Sequence, residues 1–272
     1  MKQTVDTNVI IYLTKIRKCV QTGKDPQRAL AGALTGREAD VSALLQMYDK
    51  IESGELQPVV TTKTFEELTK VENGRLKYER TAAYLTEKAL LQLPQPEIRQ
   101  EYARQVDGLV SAYRESGLFP REGDTADAQI MAEATLGSEH MLVSLTNYDF
   151  QSGEGLEAQV NGSALQVVEA AAAEMGKGVV TANVKDFINF QVGNPREGVK
   201  TAQQVIGEVN EREIGEKITP RTPSEFIEEL ENGQTAENAQ SNTSSQASSQ
   251  GDEGMSMDMS GGASGGTGGA DK

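Results

Sequence analysis

Thr4-Val5-Asp6-Thr7-Asn8-Val9-Ile10-Ile11 sets one carboxylate and two small polar side chains inside a run that otherwise reads as a buried strand. An ionised Asp there costs several kcal/mol, in order of magnitude, unless it is paired or holds a metal. In an open α/β sheet, ligands gather just beyond the carboxyl ends of the strands. Asp6, at the end of a first strand, is therefore a candidate ligand, with plain capping of the following helix as the alternative. Further acids fall where a parallel sheet presents groups to the same edge: Glu67 in the helix after a second strand, Asp127 in the first turn of its helix, and Asp149 or Asp186 after later strands. Hard divalent cations take oxygen ligands, and two such ions can clamp the attacking and leaving oxygens of a phosphodiester. Asp127 heads a stripe of Ile130, Met131 and Ala134, so it starts a buried face at a helix N-terminus, where the dipole supports its charge. Glu67 and Asp127 each also follow a plausible N-cap, Thr64 and Asp124, by three residues, and Asp149 and Asp186 fit turns.

The elements that must position these acids are legible as alternating strands and helices. Tyr12 to Val20 and Ala39 to Ile51 have helical spacing, with the polar loop Thr22 to Pro26 between them. Leu56 to Thr61 reads as a second strand, and Thr64 with Glu67 as a capping box opening a helix to about Val71. Helical segments are expected near Lys77 to Leu93 and Pro96 to Ser116, separated by the Pro94 to Pro96 break. Asp124 caps a helix over Thr125 to Leu136, and strands follow at Met141 to Ser144 and Gly178 to Thr181. Lys217-Ile218-Thr219 suggests a last strand, and Thr222-Pro223-Ser224-Glu225 the start of a last helix. Such alternation argues for an α/β fold with a mainly parallel sheet. Asp124 to Phe150 and Asn161 to Phe187 also look like one helix-strand unit used twice, only the first copy keeping the acids at its helix start.

Composition sets limits on partners. The chain has 272 residues and a net charge of −15, which disfavours indiscriminate binding to nucleic acid or an anionic membrane. A single cysteine, Cys19, excludes a disulfide framework and any Cys-based zinc site. With no apolar run near eighteen residues and no signal-like start, the chain reads as soluble and cytoplasmic. From Gly233 onward it is Ser, Gly, Gln and Asn with almost no branched aliphatics, so 233–272 is expected to be a disordered tail and 1–232 the folded domain. His140 reads as a linker residue between helix and strand. Lys15, Lys18 and Lys63 follow Asp6 or precede Glu67 closely enough to hold phosphates, or belong to solvated helix faces.

VDTNV near the N-terminus, an FEEL helix after a VVTT strand, D-T-A-D-A-Q-I-M-A-E-A, V-V-T-A-N-V-K-D-F and T-P-S-E-F-I-E-E-L together resemble PIN-domain proteins, including VapC-type toxin ribonucleases, over roughly residues 3 to 230. The resemblance implies a PIN-like three-layer α/β/α fold, here with an extra helix-strand unit near 151–187. It also implies an acidic quartet that binds Mg²⁺ or Mn²⁺ and hydrolyses single-stranded RNA or structured nucleic acid. Carried onto this chain, the quartet is Asp6, Glu67, Asp127 and one later aspartate, with Asn8, Asp124 and Asn183 in support. TANVKDF and the TPSEF ending together favour Asp186; the usual order, with the acid directly after the Asp127 helix, favours Asp149. The sequence also leaves open an antitoxin protein and a homodimer.

The leading expectation is a metal-dependent endoribonuclease of toxin type. A phosphatase of the haloacid dehalogenase type also ends its first strand in Asp, but it needs a second acid where this chain has Asn8. The remaining alternative is a non-catalytic PIN-like interaction or scaffold protein, to which an acidic surface lends weight.

Overall fold

Strand β1 (Lys2–Val5) runs straight into helix α1 (Thr7–Gln21), with Asp6 as the single residue between them. The computed structural model describes residues 1–72, 75–137, 140–150, 156, 159, 162, 165–170, 175–194 and 198–233. After α1 come α2 (Pro26–Ala31), α3 (Glu38–Glu52), β2 (Gln57–Val60) and α4 (Thr62–Leu68). A short ribbon, β3 (Val71–Glu72) and β4 (Arg75–Leu76), leads to α5 (Glu79–Lys88), β5 (Leu90–Pro94), α6 (Arg99–Glu115) and α7 (Thr125–Thr135). The chain continues through β6 (His140–Ser144), β7 (Gln166–Ala170), β8 (Met175–Val180) and a π-helical turn (Lys185–Asn189). It then forms a hairpin of β9 (Gln191–Asn194) and β10 (Gly198–Thr201), α8 (Ala202–Ile214) and a last helix, α9, over 223–233. The chain divides into Met1–Glu229 and Leu230–Lys272; of the second unit only 230–233 are described, and these are helical.

Six strands form the central sheet in the order β7-β6-β5-β2-β1-β8. The run β5-β2-β1-β8 is parallel, whereas β6 lies antiparallel to both β5 and β7. Successive strand residues point to opposite faces. Neighbours such as Val59 and Val60, or Val179 and Val180, are all fully buried, so both faces of the sheet are covered, as parallel strands require. One face packs on a core built from α6, α7, α8 and the π turn, in which Tyr113, Phe119 and Phe187 meet edge to face. Phe187 is fully buried; truncating such a side chain costs about 3–5 kcal/mol, so Asp186 beside it is held on a well-anchored turn.

A bulge aims the end of β8. The β1–β8 register jumps from Gln3↔Gly176 to Thr4↔Val179, so Lys177 and Gly178 are extra residues. Gly178 has φ +76, and a Cβ there would lie 2.8 Å from the Thr219 carbonyl, which leaves glycine as the fitting residue. The Gln3 amide donates to its carbonyl at 2.9 Å and locks the bulge.

Several expected elements differ. Leu90 to Leu93, expected as the end of a helix, forms the central strand β5: a strand buried on both faces is a continuous apolar run, which periodicity does not separate from a buried helix. The second copy of the supposed repeat has strand β7 where a helix was expected, so the helix-strand unit is not duplicated; residues 161, 163–164 and 171–174 within it lie outside the described set. Lys217 to Thr219 is not a strand. Ile218 packs into the core and accepts from Asn210 Nδ2 at 2.6 Å, and the sheet contact there is a lone bridge between Val180 and Arg221. Helix α4 starts earlier than expected: Thr61 caps it, accepting from Thr64 N at 3.0 Å, so Thr64 and Glu67 are not a capping box. His140 is no linker but the buried first residue of β6, with Nε2 2.6 Å from the Tyr102 hydroxyl. The α9 start is as expected, with Thr222 and Glu225 exchanging hydrogen bonds at 2.8 and 3.1 Å. The expected tail beyond 233 lies outside the described residues.

Candidate functional site

β1 and β8, side by side and parallel, deliver Asp6 and Thr181 to the same edge of the sheet. The Asp6 backbone N–H extends the ladder to Val180 O at 3.0 Å. Its carboxylate caps α1 by accepting from Val9 N at 2.9 Å through Oδ1, while Oδ2 accepts from the Thr181 hydroxyl at 2.6 Å. The Ala182 N–H also reaches this carboxylate. Capping and site geometry thus coincide in one side chain.

The residues after β8 form a hook around Asp6. Thr181 N donates to Arg221 O at 2.8 Å, Asn183 N donates to Thr181 Oγ1 at 2.9 Å, and Asn183 Nδ2 donates to Asp127 Oδ2 at 3.2 Å. Asp127, in the first turn of α7, is thereby tied to the strand that carries Asp6's partner. Glu67, in the last turn of α4, accepts from the Thr7 hydroxyl at 2.5 Å. Behind the hook, Arg37 donates through Nη1 to Ala182 O at 2.7 Å and through Nε to buried Asp40 at 2.8 Å. Asp40 in turn accepts from Ser224 at the start of α9.

Electrostatics bind these carboxyls into one group. Burial pushes the Asp6 pKa up to about 6, against lowering by its hydrogen-bond donors, and the charge of Glu67 raises it further. Asp127 is pushed to about 7, first by burial and then by Asp6, Glu67, Asp186 and Asp124. Each of the four neighbouring charges that raise Asp127 belongs to an acid. Among the described residues, however, no three His, Cys, Asp or Glu side chains are gathered closely enough to hold a metal ion between them.

The two candidates for the last acid lie in different places. Asp186 sits half-buried on the π turn beyond β8 and acts on Asp127. Asp149 does not join it, contrary to the expectation that included it among metal ligands. β6 is antiparallel, so its C-terminal Ser144 pairs with Leu90 at the start of β5, on the edge opposite Asp6; Asp149 follows, exposed, with its N–H on Gln159 at 2.9 Å. Asn8 is half-buried in the first turn of α1, and Asp124 accepts from Arg121 N at 3.1 Å while adding its charge to Asp127's surroundings.

The lysines are less well placed than expected. Lys15 and Lys18 are exposed along α1, about 12 and 17 Å from its start at 1.5 Å per residue, and Lys15 Nζ sits 5.0 Å from the Tyr12 ring. Lys63 pairs with Glu66 at 3.2 Å. Thr181, Arg37 and Asp40 were not expected at the site; only the Thr of VVTAN, directly after an apolar strand as Asp6 is, carried a sequence signal. Compared with models of protein families, with curated proteins and with solved structures, the chain has no match in any of the three.

Proposed function

We propose that the chain is a metal-dependent nuclease of PIN-like fold, an endoribonuclease acting on single-stranded RNA or structured nucleic acid. The observation that carries this reading is the group of carboxyls on Asp6, Glu67, Asp127 and Asp186 at the carboxyl edge of parallel strands, with Asp6 and Asp127 both raised by burial first and by neighbouring acids after it. Oxygen donors suit Mg²⁺ or Mn²⁺. Mg²⁺ usually takes one or two carboxylates and keeps several waters, so Asp6 and Asp127 suffice as direct ligands even though, among the described residues, no three acids converge. Glu67 and Asp186 would complete the field, and Asn183 would fix the Asp127 rotamer. When bound, such an ion supplies Lewis acidity at a phosphodiester oxygen and lowers the pKa of water. The chain's own part is to hold the two carboxylates on rigid element ends, with Thr181 on an Asp6 oxygen and Asn183 on an Asp127 oxygen, and to keep Thr7 on Glu67 beside them. A VapC-type toxin role, with an antitoxin protein as partner, belongs to this reading.

One observation favours the second reading, a PIN-like interaction module without catalysis: among the described residues no three metal-ligating side chains are already gathered. Asp6→Asn separates the two. Asn retains the N-cap, so the fold is expected to survive. Mn²⁺-dependent cleavage of a single-stranded RNA is expected to fall at least a hundredfold, with Mn²⁺ binding by calorimetry weakened in parallel. Cleavage at the wild-type rate removes Asp6 from the site; no Mn²⁺ binding by the wild type favours the interaction module.

A further inference from the structure

A second concavity lies away from the acidic edge. Helices α4, α6 and α7 enclose a groove of about 930 Å³, within the range of small-molecule sites. On α4 its lining falls on the face of Thr62, Phe65, Glu66 and Thr69, whereas Glu67 lies two residues round the helix from Phe65 and turns to Thr7 on α1. On α7 the lining is Gln129 and Glu133, one turn apart, whereas Asp127 is two residues before Gln129. The same two helices thus present one face to each site.

The groove combines aromatic walls with a buried acid. Phe65, Tyr102 and Tyr148 line it, and Phe65 and Tyr148 pack edge to face at 5.1 Å. Glu133 is only 4% exposed, and its carboxylate is held by neutral donors, Lys63 N at 3.1 Å, the Gln129 amide at 2.9 Å and the Thr61 hydroxyl. Burial pushes its pKa up against the lowering by these donors, and the charge of Glu66 adds to the rise. The other charged lining groups are Asp107 and Arg99, the latter already partnered; Lys63 Nζ is taken by Glu66. Among the described residues these hydrogen bonds to Glu133 come from neutral groups, and a ligand that brings a cation would give this buried carboxylate an opposite charge. Aromatic faces reward the same charge.

We propose that this groove binds an organic cation, a guanidinium or primary ammonium on an apolar stem, with its head at Glu133 and its stem between Phe65, Tyr102 and Tyr148. Such a group is found on a basic side chain of a partner peptide and on a free polyamine-like metabolite. The proposal does not depend on the nuclease reading.

Calorimetry on the full chain tests it with agmatine as probe and butylurea, which has neither of its two cationic groups, as the neutral comparison. Saturable agmatine binding, at least tenfold tighter than butylurea, is expected. Glu133→Gln should weaken it at least tenfold. Because that variant alters a buried hydrogen bond of α4, a second one is used: Ala103→Trp, from an exposed α6 position on the groove wall, should block binding while leaving the fold intact. Asp6→Asn should bind agmatine as the wild type does. Equal binding of butylurea, no effect of Ala103→Trp, or loss in Asp6→Asn overturns the proposal, the last by placing the cation at the acidic edge. Acetyl-arginine amide binding more tightly than agmatine supports the groove as a seat for a partner's side chain; the reverse order supports it as a seat for a free amine.

Discussion

Asp6 completes two hydrogen-bonded circuits at once, the cap of α1 and the link to Thr181, and that economy explains how a carboxylate survives in a buried position. It survives at an electrostatic cost, which makes its sign testable. Asp6 and Asp127 hold their protons up to about 6 and about 7, whereas the ordinary value is 3.8. Between about pH 4 and 7 the folded chain therefore binds protons that the unfolded chain releases, so this contribution to stability is full below pH 4 and is lost as pH rises through 7. His140 acts in the opposite sense: burial pushes its pKa down to about 4 from 6.5, so stability is lost as pH falls through that interval. Comparing wild type with Asp127→Asn removes the His140 term. The unfolding free energy of the metal-free wild type, relative to the variant, is expected to fall by roughly 2 kcal/mol from pH 5 to 8, a figure discounted for the partial exposure of Asp127. A pH-independent difference would mean that Asp127 is not raised. Mn²⁺ affinity should rise over the same interval as the ion displaces those protons.

At the scale of elements, the site depends on which strand lies beside β1. β8 takes that place, and its bulge at Gly178 turns Thr181 onto Asp6. Asp186→Ala is accordingly expected to weaken Mn²⁺ binding several-fold, through the field it adds, and Asp149→Ala to change it by less than twofold. Equal effects would contradict the placement. The parts of this geometry that were legible in the sequence are those with local signatures: Asp6 between an apolar strand and an apolar-periodic helix, Asp127 at the head of a stripe, and the Thr222-Pro223 cap. What was not legible depends on contacts distant in the chain. Leu90-Leu91-Gln92-Leu93 becomes a strand only because β2 and β6 flank it, and Gln92, fully buried, finds its partners on Thr4 and the Glu133 carbonyl. The antiparallel turn of β6, which takes Asp149 to the far edge, leaves no trace in the residues of β6 itself. Arg37 reaches Ala182 across 145 positions, and no spacing rule anticipates that.

For the whole molecule the governing quantity is charge. At −15 the chain repels a polyanion, so on the nuclease reading an RNA substrate would have to be held by local groups against the overall field. Five acids and one base fall in 234–272, a stretch without apolar periodicity that could dock on a core, so its removal should act on the field and not on the fold. Deleting it is expected to shift the thermal midpoint by less than about 2 °C, since a loss of 1 kcal/mol in a chain of this size moves it by about 2–4 °C. On the nuclease reading, the same deletion should raise kcat/KM for a single-stranded RNA about two- to threefold at 20 mM salt. That gain should vanish near 200 mM, where the Debye length of roughly 7–8 Å hides the tail's charges. The sign is informative because a basic tail, or one that grips RNA through its polar side chains, would give the reverse. A midpoint lowered by more than about 4 °C would show that the segment packs on the fold, and a fall in kcat/KM on deletion would show that it recruits substrate despite its charge.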